Sequence, residues 1–321
     1  MTPTDPPDPL DPPDPRDPLD PARLRAGVRG IRGFVLDADG VLVLKSAPIP
    51  GSVDAVRALQ ARGIPFRVVT NFSSLHRETL AGWLGKGGLA IDPERIITAA
   101  SATAAHTAAT HSGRPLFVLA AADARREFDG QRLVTADEAD ALPAGTVGAV
   151  VIGDAGEELS FRNLDVAFRL LSGGADFVAM HRNPWWLTPK GKTLDSGGFV
   201  VALEFATGRR ALTLGKPSPV VFRQAVAGLV ADLGERLPRS AFAMVGDDPQ
   251  ADVAAAQRVG LRGILVLTGK TTLEDVRRAS SAGAALRPRT NARHAEARAG
   301  RPFRGPDGVA PSLAEVVAAL D

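Results

Sequence analysis

Short, almost wholly apolar runs alternate along the chain with stretches of helical period. Runs at 31–36, 65–70, 116–120, 147–152, 175–180, 241–245 and 263–267 predict buried strands, several too continuously apolar for a sheet with one wet face. Between them, 52–61, 75–84, 160–171, 217–230, 251–259 and 312–320 predict helices. In the first of these, Val53, Val56, Ala58 and Leu59 share an apolar side, Ser52 supplies a cap and Gly63 ends the element. Strand and helix in alternation predict βα units: an α/β fold, a Rossmann-like parallel sheet with helices on both faces. No internal repeat of fixed period is present.

One predicted strand ends abnormally. In Phe34-Val35-Leu36-Asp37-Ala38-Asp39-Gly40-Val41 an apolar run delivers two carboxylates and a glycine. Ligands of open α/β sheets bind beyond the carboxyl ends of strands, residues spaced i, i+2 share a face, and Gly40 permits a tight turn. By itself this is indistinguishable from an ordinary Asp-Gly turn. Three further signals follow at strand ends or helix starts: Thr70-Asn71, Gly215-Lys216-Pro217, and Gly246-Asp247-Asp248 with Asp252. Each has a plain reading: a strand-end hydroxyl, a solvated lysine before a proline in a first helical turn, an acidic helix N-terminus. Together they supply a nucleophile-capable carboxylate, a hydroxyl, a cation and a second acid cluster, the components of phosphoryl transfer.

The order and context of these motifs resemble the haloacid-dehalogenase-like phosphatase superfamily. The chain is most similar to its NagD-like subgroup, with a type-two cap, through Thr70-Asn71-Phe72-Ser73-Ser74, Ile97-Thr98-Ala99-Ala100, residues 198–208, Gly215-Lys216-Pro217-Ser218-Pro219 and residues 263–270. The resemblance implies an Mg²⁺-dependent phosphatase acting on a small-molecule phosphate ester. Asp37 would be the nucleophile giving an aspartyl-phosphate, Asp39 the general acid and base, and Lys216 the neutralising cation. Asp37, the Asp39 backbone carbonyl and Asp247 would hold Mg²⁺, Thr70 and Asn71 would bind the phosphoryl group, and Asp248 and Asp252 would support them. Asp39 would then have to hold a proton well above about 3.9, pushed up by neighbouring carboxylates, whereas Mg²⁺ and Lys216 would push Asp37 down. Caps of this type often pair, so the resemblance also implies a homodimer.

Spacing locates the cap. Thr70 and Lys216 are separated by 145 residues, a domain's worth rather than a crossover. The division expected is a core of 26–102 and 209–321 around an inserted α/β cap of 103–208. His181-Arg182-Asn183-Pro184-Trp185-Trp186 follows a cap strand. Arg182 and Asn183 are the candidates there for contacting the substrate, and the two tryptophans either wall the leaving group or pack the cap edge. Pro184 stands where related caps usually carry an acid, so no known specificity is carried over.

Composition changes the picture at the two ends. Of the 321 residues, the first 21 hold nine of the 25 prolines and six aspartates against one arginine. That Asp/Pro segment, taken to residue 25, is expected to be a disordered tail, and without an apolar h-region it is not a secretory signal, which suggests a cytoplasmic protein. Residues 280–306 carry six arginines with no apolar period or aromatic series, and read as a basic surface loop rather than a nucleic-acid patch. No apolar run reaches membrane-spanning length, and there is no cysteine. Residues 263–271 have one residue too many for a phosphate-binding P-loop, and His106 and His111 are expected on a helix surface. A non-catalytic binding protein on the same scaffold and a phosphomutase are the alternatives. The first is disfavoured by the presence of both Asp37 and Asp39.

Overall fold

The computed structural model describes residues 17–188, 191–282, 286 and 305–320. Three strands open the core: β1 (Gly33–Leu36), β2 (Phe66–Thr70) and β3 (Ile96–Thr98). The chain then leaves to build a second sheet from β4 (Leu116–Leu119), β5 (Ala149–Ile152), β6 (Asp176–Ala179) and β7 (Leu212–Thr213). It returns for β8 (Phe242–Gly246), β9 (Arg262–Val266) and β10 (Gly308–Ala310). The core sheet is parallel in the order β10-β9-β8-β1-β2-β3, and the inserted cap sheet is parallel in the order β7-β6-β5-β4.

Both faces of the core sheet are dry, which is why its strands read as unbroken apolar runs. Phe34, Leu36, Val68 and Val245 face one layer with Val56, Leu59, Leu80, Leu84 and Val316. Val35, Val69 and Met244 face the other, against Phe222, Ala225 and Leu229 of the helix Pro219–Leu233. The insert has its own apolar centre, in which Val150, Ile152 and Phe177 pack on Val166 and Leu171 of the helix Phe161–Ser172.

Register positions the site. β1 lies between β2 and β8, with Leu36 paired to both Val68 and Val245. The strand order runs outward from β1 in one direction and from β8 in the other, so the crevice opens at their carboxyl ends, where Asp37, Thr70 and Asp247 emerge.

All seven strands expected from the sequence form, within two residues at each end. The short β3, β7 and β10 and two hairpins, Val43–Leu44 with Ala47–Pro48 and Trp185–Thr188 with Gly191–Leu194, did not announce themselves. Each contributes only two to four residues, too few for a period to register. Several local expectations are corrected. Ser52 does not cap its helix: Gly51 holds the cap position, and the Ser52 hydroxyl donates to the Leu42 carbonyl at 2.9 Å. Pro217 precedes its helix, which begins at Pro219 with Ser218 as cap. His111 is buried at the end of the helix Ala99–Thr110, with Nε2 3.5 Å from Asp176.

Order also begins earlier than residue 25. Pro21–Val28 is a helix capped by Asp20, and Leu24 and Val28 join the core cluster. The Arg-rich stretch expected as a surface loop falls almost wholly outside the described residues. The helix Ala99–Thr110 runs across the expected 102/103 boundary, with Ala102 in a core cluster and Ala104 packed on the insert. Among the described residues no helix is long and apolar enough to cross a membrane.

Because Leu24 is nearly covered, Leu24→Ala should lower the unfolding free energy in urea by about 2–3 kcal/mol. A loss below about 0.5 kcal/mol, the range of surface substitutions, would show that the first helix is not docked.

Candidate active site

Three carboxylates and one ammonium meet where β1 and β8 end. Asp37 leaves β1 with its N–H bonded to Val245, and Asp247 follows Gly246 at the end of β8. Asp252 lies one turn into the helical segment Pro249–Ala254, which Asp248 caps by accepting from the Gln250 and Ala251 N–H groups. Side-chain oxygens of Asp37, Asp247 and Asp252 lie within 4.8 Å of one another, and all three residues are buried. Lys216 Nζ stands 2.6 Å from Asp37 Oδ1 and 2.8 Å from Asp252 Oδ1. This joins the turn at 215–217 to both acidic turns.

Glycines make room for the cluster. A Cβ at Gly40, where φ is +77°, would come within 2.3 Å of the Asp247 carboxylate, and one at Gly269 within 2.0 Å. A Cβ at Gly246 would meet the Asp252 side chain at 2.3 Å. The loop after β9 then closes over Asp247: the Lys270 N–H donates to Oδ2 at 2.7 Å and the Thr271 hydroxyl to the Asp247 carbonyl at 2.8 Å. Thr268 donates to the Gly40 carbonyl, and Lys270 Nζ lies 3.6 Å from Asp248. This second lysine and Gly269 carry no role in the sequence reading. The signal that could have found them is another strand, β9, ending in Thr-Gly-Lys at the same sheet edge.

Burial dominates the protonation of these acids. It pushes Asp252 up to about 7 and Asp247 up to about 6, against the lowering pull of Lys216 and Lys270. Asp37 is also raised, because burial and then the charge of Asp247 outweigh Lys216 and Lys270. With protein groups alone, therefore, Asp37 moves opposite to the sequence expectation. Asp39 is raised as expected, though by desolvation from the surrounding protein and not by neighbouring carboxylates, with Lys270 and Lys216 pulling it down; the residue itself is exposed. Burial lowers the Lys216 ammonium's pKa, but Asp252 and Asp37 more than restore it, so Lys216 stays charged.

The donor set suits a small hard cation. Asp247 Oδ1 is buried without a hydrogen-bond partner among the described residues, beside carboxylate oxygens of two other chain segments. Hard oxygens in a glycine-lined cradle fit Mg²⁺, and an Asp252 carboxylate oxygen lies in the same group as those of Asp37 and Asp247.

The phosphate-facing candidates lie alongside. Thr70 is buried at the end of β2, and its hydroxyl accepts from the Phe72 N–H at 3.3 Å. Asn71 Nδ2 donates to the Lys216 carbonyl at 3.0 Å. Of the two cap candidates, the Arg182 side chain pairs with the buried Glu204, which Arg210 and the Ala211 N–H also hold, while Asn183 is tied through its backbone, its N–H reaching His181 Nδ1 and its carbonyl accepting from the Gly197 N–H. Trp186 is half exposed, and Lys192 Nζ sits 4.3 Å over the Trp185 ring.

Known proteins resemble this chain over most of its length. A haloacid dehalogenase-like hydrolase model matches residues 34–133 and a HAD-hydrolase-like model matches 213–290. The chain is 33% identical to haloacid dehalogenase-like hydrolase domain-containing protein 2 of Bos taurus, over 77% of this chain and 88% of that one. It is 33% identical to phospholysine phosphohistidine inorganic pyrophosphate phosphatase of Homo sapiens, over 75% and 84%. The solved p-nitrophenyl phosphatase of Archaeoglobus fulgidus superposes with a TM-score of 0.74 at 28% identity, covering 90% of this chain and 99% of that one.

Because the fold keeps protons on Asp247 and Asp252 to higher pH than the unfolded chain does, the native state binds more protons between about pH 4 and about pH 7. In EDTA-treated protein these groups should therefore cost unfolding free energy as the pH rises through that window, and Asp247→Asn should flatten the decline. Identical pH slopes for the two proteins in urea titrations would contradict this account.

Proposed function

As this chain belongs to the haloacid dehalogenase-like hydrolase family, whose members it matches at one-third identity over more than four-fifths of their length, we propose that it is an Mg²⁺-dependent phosphatase of small phosphorylated metabolites. The reading takes residues 26–102 and 209–321 as the catalytic core and 103–208 as the cap. Asp37 attacks phosphorus while the bond to the leaving oxygen breaks, and Asp39 gives its proton to that oxygen. Water then attacks the aspartyl-phosphate, returns a proton to Asp39 and releases phosphate with the Asp37 carboxylate restored. The raised pKa of Asp39 suits the proton-carrying half of this cycle.

Lys216 neutralises charge on the transferring group and holds Asp37 in place. Thr70 donates its hydroxyl to a phosphoryl oxygen, and Asn71 fixes the Lys216 turn through its carbonyl. Asp37, the Asp39 carbonyl and Asp247 would hold Mg²⁺, with Asp252 and Asp248 behind them. Bound there, the cation supplies charge neutralisation for a reaction whose uncatalysed form is among the slowest known.

The observation that carries the reading is the position of Lys216 Nζ between Asp37 and Asp252, beside the unpartnered Asp247 oxygen. A structural ion pair alone gives no reason to crowd a third buried acid against the first two. The names of the relatives cover phosphate esters, phosphoamides and pyrophosphate, so all three bond types belong in a substrate panel. Within it, p-nitrophenyl phosphate should be hydrolysed with Mg²⁺ and not with EDTA, and folded Asp37→Asn should lose at least about 10³-fold in kcat. Undiminished Mg²⁺-dependent turnover by that variant would remove Asp37 from the nucleophile's role.

A further inference from the structure

A second polar cluster is buried away from the metal-capable acids, where the loop after β2 meets the loop after β6. Ser73 Oγ lies 2.8 Å from His181 Nε2, and the Asp154 N–H reaches the same hydroxyl at 3.3 Å. The Asn183 N–H points at His181 Nδ1, 3.3 Å away. A ring nitrogen that accepts from an amide carries no proton, so in the neutral ring Nε2 carries it and donates to Ser73. Asp195 Oδ1 stands 3.7 Å from that same Nε2.

The trio is therefore not a hydrolytic triad. In a triad the acid orients one ring nitrogen while the other accepts the serine proton. Here Ser73 and Asp195 face one nitrogen, the ring N–H donates a hydrogen bond to the serine oxygen, and all three residues are buried. The arrangement can hold a loop but cannot activate a nucleophile.

What it holds is the phosphate-facing loop. Ser73 lies three residues after Thr70. Asn71 Nδ2 bonds to the Lys216 carbonyl at 3.0 Å, the Gly215 N–H to the Met180 carbonyl at 2.8 Å, and Met180 adjoins His181. Chain and bonds thus close a ring: Asn71 to Ser73, across to His181 and Met180, across to Gly215 and Lys216, and back to Asn71. Gly215 has no room for a side chain, since a Cβ would meet Asn71 Oδ1 and the Met180 carbonyl, each at 2.6 Å. The far end of the loop is tied to the insert as well. The His76 N–H donates to Asp123 and the Arg77 N–H to the buried Glu127, both at 2.7 Å.

We propose that His181 is a positioning residue which, through Ser73, sets the Thr70–Asn71 loop against Lys216 and makes the placement of the cap a condition of phosphate binding. The proposal rests on the phosphatase reading and adds a residue from the insert to the machinery of the core. Small misplacements of substrate-binding groups can cost about 10²-fold in rate, so one hydrogen bond in a closed ring is enough to matter.

The test follows turnover of p-nitrophenyl phosphate with Mg²⁺ and its inhibition by inorganic phosphate. His181→Ala should lower kcat by about tenfold and raise the phosphate inhibition constant several-fold, with half-saturation by Mg²⁺ unchanged. His181→Gln, whose amide nitrogen can reach the place of Nε2, should recover most of both. Ser73→Ala, a smaller change should His181→Ala fold poorly, should match His181→Ala, and the double variant should be no worse than either. Wild-type turnover with His181→Ala or Ser73→Ala unchanged within about twofold overturns the proposal alone. So does additive damage in the double variant, or a His181→Gln no better than alanine. An inactive wild-type protein instead overturns the phosphatase reading beneath it.

Discussion

The structure depends on one buried ammonium. Lys216 reaches from the end of the insert into the edge of the core sheet and lies between Asp37 and Asp252, with Asp247 close by. Removing charged carboxylates from water is costly, and several kcal/mol per ion is usual unless a partner of opposite charge stands in contact. One lysine against three acids leaves the site short of positive charge. Lys270 relieves part of this from the rim, and Asp247 and Asp252 stay raised because burial, with the neighbouring acids adding to it, outweighs the two lysines. A divalent cation held among these oxygens would complete the balance and keep the acids ionised.

Topology makes that meeting unavoidable. In a parallel sheet every strand ends at the same edge, and the reversal of strand order between β1 and β8 leaves a crevice between their outgoing loops. Asp37 and Asp247 leave adjacent, register-matched strands, so more than 200 intervening residues do not separate them in space. The insert returns its chain through Gly215 directly into Lys216. The cation is thereby delivered by the same connection that sets the insert on the core, and through Ser73 and His181 the loop bearing Thr70 shares that connection.

Much of this was legible in the sequence for a physical reason. Strands dry on both faces leave long apolar runs, and acids that end one such run could be an ordinary turn, but acids that end two of them, with a hydroxyl and a lysine at further strand ends or helix starts, together mark a site. Hence β1 with Asp37 and β8 with Asp247 stood out. The elements that escaped are short, like β3 and β10, or owe their ordering to tertiary contact, like the helix Pro21–Val28, whose Asp/Pro-rich beginning resembles a tail until Leu24 finds the core. Ser52, beside a glycine already in the cap position, and His111, buried by its neighbours, show the same limit. So do Arg182, held by Glu204 from a helix many residues away, and His181, whose partner Ser73 lies 108 residues earlier. The upward shift of Asp37 was likewise out of reach, because burial is a property of the assembled site.

The most direct test is a crystal of the protein grown with Mn²⁺ and measured at a wavelength where manganese scatters anomalously. The account predicts one strong anomalous peak at the carboxyl edge of the core sheet, within bonding distance of both the Asp37 and Asp247 carboxylates. An active protein whose only ordered manganese lies away from those two side chains would contradict it.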